Sequence, residues 1–130
     1  MRKDGKPVAR VLVADGVEIT DIKRSGGPPA RKGDIVEILF SVALSEAELA
    51  HGIFLESTMD PARHFEARLD TDHLLAGLVL GIEGMEAGGS LRRIFLAPHV
   101  AYGERGLEAL VPPNSPLVFD IILSTVSKVS

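Results

Sequence analysis

The chain has no cysteine and no tryptophan, one tyrosine among its 130 residues, and four histidines. Without cysteine there is no disulfide, no thiolate nucleophile and no thiolate metal ligand. The histidines (His51, His64, His73 and His99) never pair at i, i+4, and no HExxH pattern occurs, so a histidine metal site is not expected. No serine sits in a GxSxG elbow. The glycines of "GLVLGIEG" are wrongly spaced for a dinucleotide loop, and no phosphate-binding lysine follows them. The formal net charge is −4 and the pI about 5.5, which argues against a nucleic-acid partner, since such proteins carry a basic patch. The longest apolar run, "LLAGLVLGI" from Leu74 to Ile82, is far short of the roughly 20 residues that span a bilayer. The basic N-terminus has a short apolar stretch broken by Arg10, a poor export signal. These absences predict a cytoplasmic monomer with no membrane segment, no metal and no cofactor.

What is present is enough to build a core. Hydrophobic residues make up 45% of the chain and mean hydropathy is +0.20, consistent with one folded domain. In "DIVEILFSVAL", Val36, Ile38, Phe40, Val42 and Leu44 fall at period two, the spacing of a strand. "LRRIFLA" and "PLVFDIILSTV" read as strands too, the latter with Leu117, Phe119, Ile121 and Leu123 on one face. "DGVEITDI" is a weaker fourth, and residues 1–14 are an extra strand or a flexible segment. "RSGGPPARKGD" is a breaker-rich loop inside the domain. "SEAELAHG" is either a helical turn or a polar flap.

One segment has helical spacing: Leu74, Leu75, Leu78, Ile82 and Met85 recur at three or four. Thr71 or Asp72 is a candidate cap, and Gly84 or Gly88 a candidate end. Gly77 and Gly81 each weaken a helix by about 1 kcal/mol relative to alanine, so one or two turns are expected. Their use is close packing of the helix against a sheet. The paired acids Glu83 and Glu86, or Asp70 and Asp72, suit acid–base work but more commonly cap helices or face water. The sum is an antiparallel α+β domain.

The stretch "APHVAYGERGLEALVPPNSPLVFD" admits two readings. One is a turn leading to an edge strand, since Pro112, Pro113 and Pro116 fix φ and extend the residues before them. The other is a rigid rim around a cavity, with Tyr102 on one wall, Leu110 and Val111 on another, and Phe119 beneath.

Together, "AYGERG", "LVPPNSPLVFDIIL", "GLVLGIEGMEAGG" and "KGDIVEILF" resemble the motifs of the FKBP-type peptidyl-prolyl cis-trans isomerases, over Gly33 to Leu123. The resemblance implies a five- to six-stranded antiparallel half-barrel wrapped around one short helix, with a proline-binding pocket between them. Carried over by position, it implies that the Tyr102 hydroxyl bonds a ligand carbonyl. Phe65 and Phe119 become aromatic walls, and Leu74 and Leu75 precede the helix, with the Leu75 N–H as a donor to ligand. Leu110 and Val111 are loop aliphatics. Glu56 stands where the family has aspartate. Three positions depart from the pattern: Phe40 replaces a tyrosine, Leu55 a phenylalanine and Leu78 the tryptophan floor. Phe54 substitutes for Leu55 if the register shifts by one. Leu91 reads as a one-residue insertion, a bulge. The implied activity is X–Pro isomerisation in folding proteins, with proline-containing peptides or unfolded chains as partners and macrolides as ligands. Two alternatives stand beside it: a non-catalytic module that binds proline segments, and a chaperone using the apolar surface around Phe54.

Overall fold

The computed structural model describes residues 9–60 and 64–128. In chain order the elements are β1 (Val11–Ala14), β2 (Val17–Lys23), β3 (Ile35–Ala43), α1 (Glu46–Ala50) and β4 (Glu56–Ser57). Then come β5 (Phe65–Arg68), α2 (Ala76–Ile82), β6 (Ser90–Leu96) and β7 (Leu117–Ser127). The strands form one sheet in the order β1-β2-β6-β7-β3-β4, and β5 also pairs with β3. Every pairing is antiparallel. The described residues thus hold seven strands rather than five or six. The additions are short, since β1 has four residues and β4 two. Residues 1–8 of the N-terminal stretch lie outside the described residues. No described helix is long and apolar enough to cross a membrane.

The period-two pattern becomes a buried face. Leu117, Phe119, Ile121 and Leu123 of β7 all turn inward, as do Val36, Ile38 and Val42 of β3 and Ile94 and Leu96 of β6. Fully burying one such side chain contributes about 1.5–3 kcal/mol. The opposite face is not left to water. Ala43, Leu49, Phe95 and Val118 form a second, small cluster there. Leu49 reaches it because "SEAELAHG" is helical: the Ser45 hydroxyl accepts the Glu48 N–H and caps α1. That capping is the ordinary role of a serine at this position. Asp120, outward on β7, takes both Nε and Nη2 of Arg93 at 2.8 and 3.0 Å.

Helix α2 lies against this sheet through its glycines. A Cβ on Gly77 would stand 2.6 Å from Leu96, and one on Gly81 2.6 Å from Ile94. Two glycines one helical turn apart therefore match two inward residues two apart on β6. The helix starts later than its apolar spacing suggests. Neither Thr71 nor Asp72 caps it; Leu75 holds the cap position and contributes no side-chain bond. Asp70 instead orders the preceding turn, accepting the Asp72 N–H and Nδ1 of His73. At the other end Gly84 has φ +88, the left-handed conformation that ends helices at low cost. Arg92 donates to the carbonyls of Gly81 and Glu83 there, at 2.9 and 3.1 Å.

The expected bulge at Leu91 is on the other strand. Asp21 pairs with Arg92 and Lys23 with Leu91, so the extra residue is Ile22 of β2. An added residue in a ladder is absorbed on whichever strand can bend, and here the bend falls on β2.

Candidate functional site

Between α2 and the concave face of β3 and β7 lies a hollow of about 220 Å³. All eleven residues singled out from the sequence line it: Phe40, Leu55, Glu56, Phe65, Leu74, Leu75, Leu78, Tyr102, Leu110, Val111 and Phe119. Phe40 is the hub of its aromatic wall. Its ring lies 6.0 Å from Phe65, edge to face, and 6.3 Å from Phe119, distances at which aromatic pairs attract beyond simple burial. Phe119 is almost fully buried, whereas Phe65 stands partly in solvent.

The strap that carries Leu55 keeps its register. The Leu55 N–H donates to the Val42 carbonyl, and Thr58 exchanges bonds with Phe40 through its N–H and hydroxyl. Leu55 therefore faces the hollow, and Phe54 faces outward, 44% exposed. Phe54 does not take the place of the missing phenylalanine.

Tyr102 follows a single 3₁₀ turn, Pro98–Val100, whose Pro98 carbonyl accepts the N–H of both Ala101 and Gly103. Next comes a closed loop. Leu107 and Val111 exchange both backbone bonds, at 2.8 and 3.1 Å. Gly106, at φ +65, lies so close that a Cβ there would meet the Val111 carbonyl at 2.3 Å. The Asn114 N–H then returns to the Gly103 carbonyl, and the Ser115 hydroxyl to Pro112. The proline-rich stretch is thus a tied rim with Val111 buried and Leu110 at its edge.

Only three lining side chains are polar: Glu56, His73 and Tyr102. Burial raises the Tyr102 pKa above its ordinary value, and the nearby Glu56 charge raises it further. The phenol is therefore a donor throughout the neutral range. The Leu75 N–H donates to no group among the described residues, which leaves a free backbone donor at the helix entrance.

Ile38, Val42, Leu117 and Ile121 also line the hollow. Their in-phase alternation with Phe40 and Phe119 already placed them on this face, although they were not among the residues singled out. His73 was missed outright, because a histidine without a second ligand at metal spacing gives no periodic signal. No group of three or more metal-binding side chains occurs among the described residues.

Comparison with known proteins identifies the class. The family model of FKBP-type peptidyl-prolyl cis-trans isomerases matches residues 26–124. The chain belongs to that family. It is 35% identical over 88% of its length to the 46 kDa FK506-binding nuclear protein of Spodoptera frugiperda. It is 36% identical over 91% of its length to FK506-binding protein 4 of Neurospora crassa. It spans only 26% and 24% of those two proteins. A solved peptidyl-prolyl cis-trans isomerase of Pseudomonas syringae pv. tomato superposes with a TM-score of 0.78 at 26% identity, covering 97% of this chain and 86% of that one. FkpA of Escherichia coli superposes with the same TM-score, 0.78, at 23% identity, covering 96% of this chain and 55% of that one.

Proposed function

We propose that this chain accelerates rotation about X–Pro peptide bonds, with the pyrrolidine ring seated in the hollow. The carrying observation is the meeting of Tyr102, Phe119, Phe40, Phe65 and the free Leu75 N–H around one cavity of about 220 Å³. Rotation is slow because resonance gives the C–N bond double character, with a barrier of about 18–20 kcal/mol. The planar amide is more polar than the twisted one, so water favours the planar form. Transfer into an apolar hollow removes that water and narrows the gap to the transition state. Rotation breaks no covalent bond and transfers no proton. The Tyr102 phenol and the Leu75 N–H hold the substrate's carbonyls while the bond turns. Each tenfold gain in rate needs about 1.4 kcal/mol.

Exchange spectroscopy on a model X–Pro peptide tests this. Added protein should raise the cis–trans exchange rate in proportion to its concentration. Unchanged exchange at micromolar protein, with the peptide bound, would reject the reading.

A second reading rests on Leu78 and Leu55, which line the floor and side of the hollow where the family carries aromatics. In it the hollow holds a proline segment of a partner, or a macrolide, without useful acceleration. Peptide-induced shifts at Tyr102 and Leu75 with no added exchange at the X–Pro bond would favour it.

A further inference from the structure

Resting on the proposed isomerase reading, we infer that His73 is a specificity residue that selects substrates by the charge flanking their proline. It lies on the wall of the hollow, one residue before Leu74 and two before the free Leu75 N–H. Its Nδ1 is 2.7 Å from Oδ1 of Asp70. A carboxylate only accepts, so Nδ1 carries the hydrogen and Nε2 is the ring's remaining hydrogen-bonding atom. The same Asp70 oxygen accepts the Asp72 N–H at 3.1 Å, and the Asp70 carbonyl accepts the N–H of His73 and Leu74. The ring is therefore anchored to an ordered turn rather than free to swing, while its side chain keeps 55% of its exposure.

Neutral, His73 presents an acceptor at Nε2; protonated, it presents a donor and a positive charge beside the bound chain. The charged and titratable groups around it are Asp70 on its own turn, with Arg68 4.0 Å from that carboxylate, the sequence neighbour Asp72, and Glu56 and Tyr102, which line the same hollow. Glu56 lines the hollow and Asp70 is bonded to the ring, both carboxylates, so a neutral His73 leaves this wall biased against an acidic substrate. Protonation of His73 offsets that bias. Substrates with an acidic residue before proline should gain on acidification relative to neutral ones.

The test compares two peptides, Ala-Glu-Pro-Phe and Ala-Gln-Pro-Phe, by exchange spectroscopy between about pH 8 and about pH 5.5, a range in which the peptide's glutamate stays ionised. The Glu-to-Gln rate ratio should rise about threefold on acidification, the size of a partly exposed ion pair. In His73→Gln the ratio should stay flat, and in His73→Arg it should be high at both pH values. A flat ratio in the wild type, or the same rise in His73→Gln, overturns the inference. If neither peptide is accelerated, the isomerase reading fails, and the same ratio is then taken from binding titrations. A threefold rise in relative affinity supports His73 there, and a flat relative affinity overturns it.

Discussion

Gly81 of α2 and Ile94 of β6 meet with no room for a methyl group between them: a Cβ on the glycine would stand 2.6 Å from Cγ2 and 2.9 Å from Cδ1 of the isoleucine. This contact sets how closely the helix approaches the sheet, and so helps set the width of the hollow beside it.

Gly81→Ala should therefore destabilise the protein. In an unobstructed helix the change would gain about 1 kcal/mol. Here overpacking costs about 1–3 kcal/mol, because Ile94 is fully buried and cannot retreat. The expected outcome is a lower urea midpoint with an unchanged denaturant slope. A higher midpoint would mean that the helix moves freely on the sheet.

Asp21→Asn should loosen the helix end. Asp21 takes Nε and Nη2 of Arg92 at 2.7 and 3.3 Å, and Arg92 in turn holds the Gly81 and Glu83 carbonyls. Arg92 is 9% exposed, so that partner balances a largely buried charge, though Asp21 itself is partly in water. A loss of about 1 kcal/mol is expected for Asp21→Asn. Arg92→Met, which also orphans the two carbonyls, should lose about 2–3 kcal/mol. Urea unfolding measures both, and amide exchange at Gly84 and Met85 should quicken in each.

The resemblance of the tyrosine–glycine, double-proline and helix segments to the family's motifs made most of this site legible in advance, while strand alternation by itself reached only two of its aromatics. Phe40 and Phe119 lie on faces whose period-two spacing can be read directly, whereas the prolines of the loop left a turn before an edge strand and a cavity rim both open until the Leu107–Val111 and Asn114–Gly103 bonds showed a tied rim. Other features have no local signature. The two residues of β4 pair with β3 only because the strap returns there. Whether Ile22 or Leu91 absorbs the extra residue depends on which strand bends. Phe54 and Leu55 are adjacent and both apolar, and only the Leu55 N–H bond to Val42 decides which faces in.

Acid should weaken the fold between about pH 4.5 and about 2. Glu86 is held down to a pKa of about 2, first by the Arg24 guanidinium that bonds it, then by the Gly26 N–H, with the Arg24 charge and the Ser25 N–H adding to this. Lys128 likewise lowers Asp34, and His73 lowers Asp70. A carboxylate whose folded pKa is depressed stabilises the protein above its unfolded pKa and loses that contribution as pH falls through the folded one. The melting temperature should decline through this window, and Glu86→Gln should lower it at neutral pH while flattening the decline. An equally steep decline in that variant would show that the Arg24–Glu86 contact does not couple to folding.

Tyr102→Phe should reduce isomerisation two- to tenfold, the size of one lost hydrogen bond of about 0.5–1.5 kcal/mol. The tyrosine is partly exposed and its hydroxyl makes no hydrogen bond among the described residues, so stability should barely change. A loss of more than a hundredfold would require the phenol to do more than orient the substrate.

Leu78→Trp tests the floor of the hollow. Leu78 is buried and lines the hollow, and an indole there adds apolar surface for a bound pyrrolidine ring. Aromatic contact of this kind contributes about 0.5–1.5 kcal/mol beyond burial, so proline peptides should bind about three- to tenfold more tightly. The larger side chain also presses on a packed core, and an overpacking loss of about 1–3 kcal/mol in stability is expected. Titration and unfolding together separate the two effects. Tighter binding with lower stability fits a ring-sized hollow over Leu78, whereas weaker binding with unchanged stability would mean that the indole fills the space the proline ring needs.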